Sequence, residues 1–262
     1  MILAAGLGTR LRPLTDHTPK ALVEVAGVPM IEGVARRLTA AGADRLVVNV
    51  HHHAALVESF LDRLAATLGV EIVISREEER PLDTGGGLLQ AAALFRGGDP
   101  FFLHNVDVIT RIDLGALHAA HASGPAPAGA AVATLAVHRR DTRRFLLFDE
   151  GGLFGWENAG TGASRMVRDP GGDVSRLGFA GIHVVSPAAF DLLREAGYSS
   201  EEPFSILDAY LRLAADGRRI APHDVTGAFW VEIGTPDRLA RAEALLTSGG
   251  PSNGGSTPPR DR

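Results

Sequence analysis

The stretch from Ala4 to Lys20, AAGLGTRLRPLTDHTPK, sets two glycines, two arginines and a lysine close together. Gly6 and Gly8 let consecutive backbone N–H groups converge on an anion, because no Cβ blocks the approach. Arg10, Arg12 and Lys20 add charge for phosphate oxygens. The chain has twenty-five arginines and one lysine, and that lysine is Lys20. An ammonium is a compact point charge and a guanidinium a planar fork, so the two are not interchangeable at a tight phosphate site. The stretch reads as a phosphate-cradling loop. The alternatives are an ordinary strand–helix turn and a stray lysine in an arginine-biased composition. Leu11 stands where the dinucleotide fingerprint needs its third glycine, and no Gly-Lys-Ser/Thr follows, so neither that fingerprint nor a Walker A loop is present.

Three further places carry chemistry-bearing residues. Leu82-Asp83-Thr84-Gly85-Gly86-Gly87 lies between a strand and a helix, and three glycines at a helix start are costly. Close approach of backbone to a flat ligand such as a base accounts for them; a flexible loop is the alternative. Asp107 ends the apolar run FFLHNVD, at the carboxyl end of a strand, where open α/β sheets bind ligands. It suits Mg²⁺, which takes one or two carboxylates plus phosphate oxygens, or else caps a turn. Glu232 interrupts the apolar run FWVEI and needs a metal or an arginine as partner. His51 to His53 point in diverging directions and read as a strand-end turn.

The elements that must position these residues follow from periodicity. Ile2-Leu3-Ala4 reads as the end of a buried strand, and Met1 falls inside it, so the expected start lies a few residues upstream. Residues 21–25 form an extended piece closed by a turn at 26–29. Helical spacing runs from Met30 to Ala41 and from Ala54 to Leu68. Arg45 to Val50 is a nearly continuous apolar run, as in a parallel strand buried on both faces. Val70 to Ser75 and Phe101 to Asn105 are strands, Gly85 to Phe95 a helix after a glycine loop, and Asp113 caps a helix over 114–121. Alternation of strand and helix implies βαβ units and an open parallel sheet. Beyond a loop at 124–129 the cadence changes. Strands are expected at Ala131–Val137, Phe145–Phe148, Leu177–Val185 and Phe229–Ile233. Helices are expected at Pro187–Ala196, Phe204–Ala215 and from Pro236 to Leu246. Residues 1–247 make one domain, and 248–262, rich in Gly, Pro and Ser, a disordered tail.

Composition narrows the function classes. A net charge of −5 argues against nucleic acid as partner. With no cysteine, disulfides, thiolate nucleophiles and cysteine–zinc sites are excluded. No apolar run approaches the roughly 20 residues of a membrane span, and no signal-peptide pattern precedes the first loop, so a cytoplasmic protein is expected.

Taken together, the motifs resemble those of the sugar-1-phosphate nucleotidyltransferase family. The resemblance rests on residues 3–15, Thr18-Pro19-Lys20, 82–87, Asn105-Val106-Asp107, Phe179-Ala180-Gly181-Ile182 and Trp230 to Thr235, in the family's order. The short length and the Thr-Gly-Gly-Gly run are most similar to members that transfer a uridylyl group to N-acetylmuramate 1-phosphate in peptidoglycan recycling. Mannose-1-phosphate guanylyltransferases come second. The resemblance implies an α/β, Rossmann-like three-layer sandwich with a mostly parallel central sheet. It implies Mg²⁺-dependent transfer of NMP from an NTP to a sugar 1-phosphate, by a monomer or homo-oligomer. The nucleotide is then bound by Leu3, Ala4, Ala5, Gly6, Gly8, Thr9, Arg10 and Lys20, with Thr84, Gly85 and Gly86 at the base. Asn105 and Gly181 face the sugar, Asp107 and Glu232 hold the metal, and Arg10, Lys20 and Asp107 are catalytic.

Three departures matter. Glu232 stands where the family usually has Asp, Val106 where it commonly has Gly, and the sugar-side segment 144–168 lacks the Glu-Lys-Pro of many relatives. A second phosphate clamp must then be arginine or backbone, with Arg165 and Arg168 as candidates. A nucleotide-binding regulatory homologue without turnover is the alternative from another class. A nicotinamide-dependent oxidoreductase is disfavoured by Leu11 and the loop arginines.

Overall fold

The computed structural model describes residues 1–123 and 130–247; the expected loop at 124–129 and the tail at 248–262 lie outside the described residues. β1 (Ile2–Leu3) leads into short 3-10 turns, then β2 (Glu24–Val25), β3 (Val28–Pro29) and α1 (Met30–Ala40). β4 (Arg45–Val50), α2 (Ala54–Leu68), β5 (Glu71–Arg76), α3 (Asp83–Gln90), β6 (Phe101–Asn105), β7 (Val108–Thr110) and α4 (Leu114–Ala122) follow. The second half holds β8 (Ala133–His138), β9 (Arg144–Asp149), β10 (Gly152–Asn158), β11 (Ala163–Met166) and β12 (Ser175–Val185). It ends with α5 (Ala189–Glu195), α6 (Ile206–Ala215), β13 (Ile220–Asp224), β14 (Trp230–Glu232) and α7 (Pro236–Thr247).

The main sheet runs β11-β10-β9-β12-β6-β1-β4-β5, with β8 and β13 joined to it through β12. β6, β1, β4 and β5 are mutually parallel, as the alternation of strands and helices requires. Beyond β6 the pairing turns antiparallel: β12 runs against β6, β8 and β9. β12 is the spine of the molecule. Its Ser175–Leu177 segment pairs with β9, and its Ile182–Val185 segment lies between β6 and β8.

Period-two alternation sends neighbouring side chains to opposite faces of the sheet. Ile2 joins a core with Met30, Ile31, Val34 and Leu38 of α1 and Val57 and Leu61 of α2. Leu3 joins a second core with Leu88, Leu103, Phe148, Phe190 and Tyr210. The sheet is therefore the middle of three layers. Asp113 caps α4 as expected, its Oδ1 accepting from the Ala116 amide at 2.9 Å. β10, β11 and β13 carry no strong apolar run of their own and exist because a neighbouring strand edge receives them.

Candidate functional site

The strand order reverses at β1, because the chain leaves it toward β4 and β5 and returns on its other side at β6. Such a reversal opens a crevice beyond the carboxyl ends of the strands. A cavity of about 190 Å³ lies there, lined by Leu3, Ala5, Gly6, Lys20, Asn49, Glu77, Thr84, Asn105 and Asp107 among others. Lys20 Nζ donates to Asp107 Oδ2, and both side chains are largely buried. The lone lysine of the chain is thus joined to the carboxylate at the end of β6.

The two loop glycines do different things. Gly8 is left-handed (φ 66°), and a Cβ there would stand 2.9 Å from Thr15 Cγ2 and 3.0 Å from Lys20 Cβ. Thr15 Oγ1 donates to the Gly8 carbonyl at 2.8 Å, so Gly8 clamps the loop onto the stem of Lys20. Gly6 has open space where a Cβ would lie, and it lines the cavity. Behind the loop, the Ala4 amide donates to Asn49 Oδ1 at 2.8 Å, and Asn49 Nδ2 to Glu77 Oε1 at 2.7 Å. Glu77 Oε2 accepts from the Leu82 amide at 2.7 Å. Burial pushes the Glu77 carboxyl pKa up, while the Leu82 and Asn49 donors pull it back. This buried chain ties the first loop to the second.

The second glycine run is packed closely against the protein's own side chains and backbone, which by itself accounts for the three glycines. A Cβ at Gly85 would meet the Phe204 ring at 2.2 Å, one at Gly86 the Glu202 carbonyl at 2.7 Å, and one at Gly87 Glu77 Oε1 at 2.6 Å. The amides of Gly85 and Gly86 both point at the Phe204 carbonyl, at 2.9 and 3.4 Å. Thr84 Oγ1 accepts from the Ile206 amide at 2.9 Å, at the start of α6. Asp83 (φ 59°) and all three glycines belong to α3 itself rather than to a loop before it.

On the other side of Asn105 a cleft of about 860 Å³ opens. Arg10, Asn105, Arg140, Arg143, Arg144, Trp156, Gly181, Asp208, Trp230, Glu232 and Arg238 line it with their neighbours. Gly181 sits at the bulge in β12 with φ 77°, and a Cβ there would stand 3.0 Å from Asn105 Nδ2. β14 pairs with β7 so that Glu232 faces Val108, and the Ile233 amide donates to the Asp107 carbonyl at 2.7 Å. Two acidic residues far apart in sequence thereby sit on adjoining backbone segments. The partner that Glu232 requires is an arginine: Arg238 Nη1 donates to its Oε2 at 2.7 Å. Arg10 lies over Gly234, where a Cβ would come 3.3 Å from its guanidinium.

The residues expected to bind thus separate into four sets. Leu3, Ala5, Gly6, Lys20, Thr84, Asn105 and Asp107 line the smaller cavity; Arg10, Asn105, Gly181 and Glu232 line the larger cleft. Ala4, Gly8, Gly85 and Gly86 lie behind these walls and shape them through the contacts just given, and Thr9 is in the exposed turn after Gly8. Arg168 is not in the cleft; it forms a forked pair with the buried carboxylate of Asp149, at 2.6 and 2.5 Å. Arg165 faces Asp208 at 3.7 Å from the edge strand β11. Sequence reasoning missed Asn49, Glu77 and Arg140. Asn49 had a signal, a polar residue inside the apolar run of β4, whereas Glu77 is hidden in the charged run REEER. His51 Nδ1 lies 2.6 Å from the Glu77 carbonyl, as suits a strand-end turn.

Known proteins with the same features were found by comparison. The nucleotidyl transferase family matches residues 1–249. An N-acetylmuramate alpha-1-phosphate uridylyltransferase of Caulobacter vibrioides is 39% identical over 250 residues, covering 94% of this chain and 96% of the relative. A mannose-1-phosphate guanyltransferase of Candida albicans is 33% identical, over 95% of this chain and 64% of the relative. The structure of the inositol-1-phosphate CTP transferase from T. maritima superposes with a TM-score of 0.72, at 18% identity and 96% coverage of both chains. That likeness speaks for the fold, and the sequence matches speak for the chemistry. With its strand-order reversal carrying the glycine loop, and the backbone of Asp107 joined through β7 and β14 to the segment of Glu232, the chain belongs to the nucleotidyl transferase family, as a sugar-1-phosphate nucleotidyltransferase.

Proposed function

We propose that the chain transfers a uridylyl group from UTP to N-acetylmuramate 1-phosphate, with Mg²⁺, and releases pyrophosphate. The observation that carries this reading is the meeting of two cavities at Asn105, one beside the glycine loop and one lined with arginines. A donor nucleotide and an acceptor sugar phosphate need two such compartments with a shared wall. The base and the sugar are supported by the 39% relative, which this chain matches along nearly its whole length. N-acetylmuramate 1-phosphate carries a phosphate and a carboxylate, and the cleft offers Arg140, Arg143 and Arg144.

Asp107 and Glu232 suit Mg²⁺. Lys20 takes Oδ2 of Asp107 and Arg238 takes Oε2 of Glu232, which leaves one oxygen on each carboxylate. Among the described residues no group of three or more metal-binding side chains gathers, and Mg²⁺ needs none, since phosphate oxygens and water complete its shell. The ion, when bound, neutralises charge on the phosphate being transferred. The protein's own residues do the rest. Amides from Gly6 onward and Arg10 hold the β- and γ-phosphates that leave as pyrophosphate. Lys20 offsets charge that develops at the α-phosphate, an electrostatic role in a site sheltered from water. The acceptor phosphate is already ionised, so its oxygen attacks the α-phosphorus without a general base.

A pyrophosphate-release assay over a matrix of nucleoside triphosphates and sugar 1-phosphates tests the proposal. UTP with N-acetylmuramate 1-phosphate should give the highest kcat/KM. Highest turnover with GTP and mannose 1-phosphate would replace this reading by the guanylyltransferase one. Nucleotide binding without release in any pair would leave only a regulatory homologue.

A further inference from the structure

The acceptor phosphate needs a cation, and the only lysine in the chain is already joined to Asp107. Five arginines line the cleft, and they are not equivalent. Arg238 is paired with Glu232, and Arg10 lies over Gly234 on the side of the glycine loop. Arg143 and Arg144 are exposed at the turn between β8 and β9. Arg140 differs from all four. Its guanidinium stacks on the Trp230 ring, 4.0 Å from the centroid, and Nη2 donates to the Phe179 carbonyl at 2.9 Å. Trp230 is itself fixed, its Nε1 donating to the Ala180 carbonyl at 2.7 Å.

The backbone makes room for this side chain. A Cβ at Gly178 would stand 2.6 Å from Arg140 Nε, so glycine is required there for the arginine to lie flat against β12. No carboxylate pairs with Arg140 among the described residues; burial lowers the pKa of its guanidinium, which Glu232 nearby raises in part and Arg238 lowers further. A partly buried cation that is held rigid, backed by an aromatic face and given no anion is an anion site. Nη2 is held by the Phe179 carbonyl, and Nε is buried without a hydrogen-bond partner. Arg140 lines the cleft together with Asn105, the residue shared with the smaller cavity, and with Phe179–Gly181, Trp230 and Glu232.

We propose that Arg140 is the residue that grips the 1-phosphate of the acceptor sugar, with Gly178 and Trp230 as the surfaces that hold its fork in place. The inference rests on the reading of this cleft as the sugar 1-phosphate side of the site. Arg140 then does the work of a phosphate-binding lysine, with a planar fork instead of a point charge.

Both tryptophans of the chain, Trp156 and Trp230, line the cleft, so binding of a sugar 1-phosphate is followed by tryptophan fluorescence as well as by turnover. Arg140→Gln removes the charge. Gly178→Ala keeps every charge and displaces the guanidinium. In both variants, with folding checked by urea midpoint, the KM and the fluorescence Kd for the sugar 1-phosphate should rise at least tenfold. The KM for the nucleoside triphosphate should stay within twofold. An equal rise for the triphosphate, or no rise for the sugar phosphate in either variant, overturns the assignment. A loss seen with N-acetylmuramate 1-phosphate but not with N-acetylglucosamine 1-phosphate also overturns it, because Arg140 would then read the carboxylate that only the former carries. The comparison uses whichever sugar 1-phosphate the wild type accepts, so a wrong guess about the sugar fails separately. Wild-type protein that binds none of them sinks both.

Discussion

Lys20 and Arg168 show how much a single cation depends on what surrounds it. Lys20 is largely buried beside Asp107, with its stem under Gly8, and a planar guanidinium fork does not reproduce the point charge of an ammonium there. Lys20→Arg should lower kcat on the order of 100-fold although charge is kept, since it misplaces one donor of a preorganised site. Turnover within twofold of wild type, measured by pyrophosphate release, would remove the case for the lone lysine. Arg168, by contrast, is spent on the fold. Its forked pair with Asp149 holds the Asp149 carboxyl well below the usual carboxylate range and anchors the Gly171 amide at 2.7 Å. From sequence the two arginines of the segment 165–168 looked like phosphate ligands. Only the position of Asp149 across the turn shows where Arg168 goes.

At the scale of elements, α3 is the part whose role changed most. Its three glycines are legible as a close approach; Gly85 and Gly86 are approached by the 202–206 segment leading into α6, and Gly87 by Glu77 and Asn49. Through Thr84 and Ile206, α3 beside the smaller cavity is joined to α6, which supplies Asp208 and Leu211 to the wall of the larger cleft. Gly86→Ala should therefore do two things. A Cβ at 2.7 Å from the Glu202 carbonyl forces backbone to move, at a cost of about 1–3 kcal/mol in urea unfolding. The moved segment should also raise KM for the sugar 1-phosphate. A variant with wild-type stability and KM would show that the packing has slack. The parallel half of the sheet was readable because buried parallel strands are continuous apolar runs joined by amphipathic helices. β10, β11 and β13 were not, because strands with glycines and polar residues take their conformation from the neighbour that pairs with them.

For the molecule as a whole, β6, β8 and β12 bury histidines in the sheet, and this sets its response to acid. Burial pushes His104 and His138 down to about 4 and His183 to about 3, against about 6.5 in the unfolded chain. Below about pH 6.5 the unfolded state binds protons that the native state refuses, so stability falls as pH falls, by about 1.4 kcal/mol per pH unit for each histidine. The loss continues to about pH 4. Below that the Asp149–Arg168 pair is lost as well, since a carboxyl with depressed pKa stabilises only while ionised. Urea midpoints should drop between pH 7 and pH 5, and His183→Gln should shrink that drop. A midpoint that is flat or rises on acidification would contradict this assignment of the buried histidines.

What the sequence determined by itself was local: the glycine loop with its lysine, the carboxylate at the end of an apolar strand, the acid inside another, and the helices that separate them. These are legible because loop chemistry and hydrophobic period are properties of neighbours along the chain. What only the tertiary structure decided was who meets whom. It joined Lys20 to Asp107 and Glu232 to Arg238, and it withdrew Gly85 and Gly86 into the packing of α3. It also set Arg140 over Trp230 at the wall of the cleft. Except for Glu232 and Arg238, six residues apart across the turn into α7, these partners lie some 87 to 119 residues apart, and no local pattern encodes them: they arise where sheet order and strand register bring distant segments to one edge.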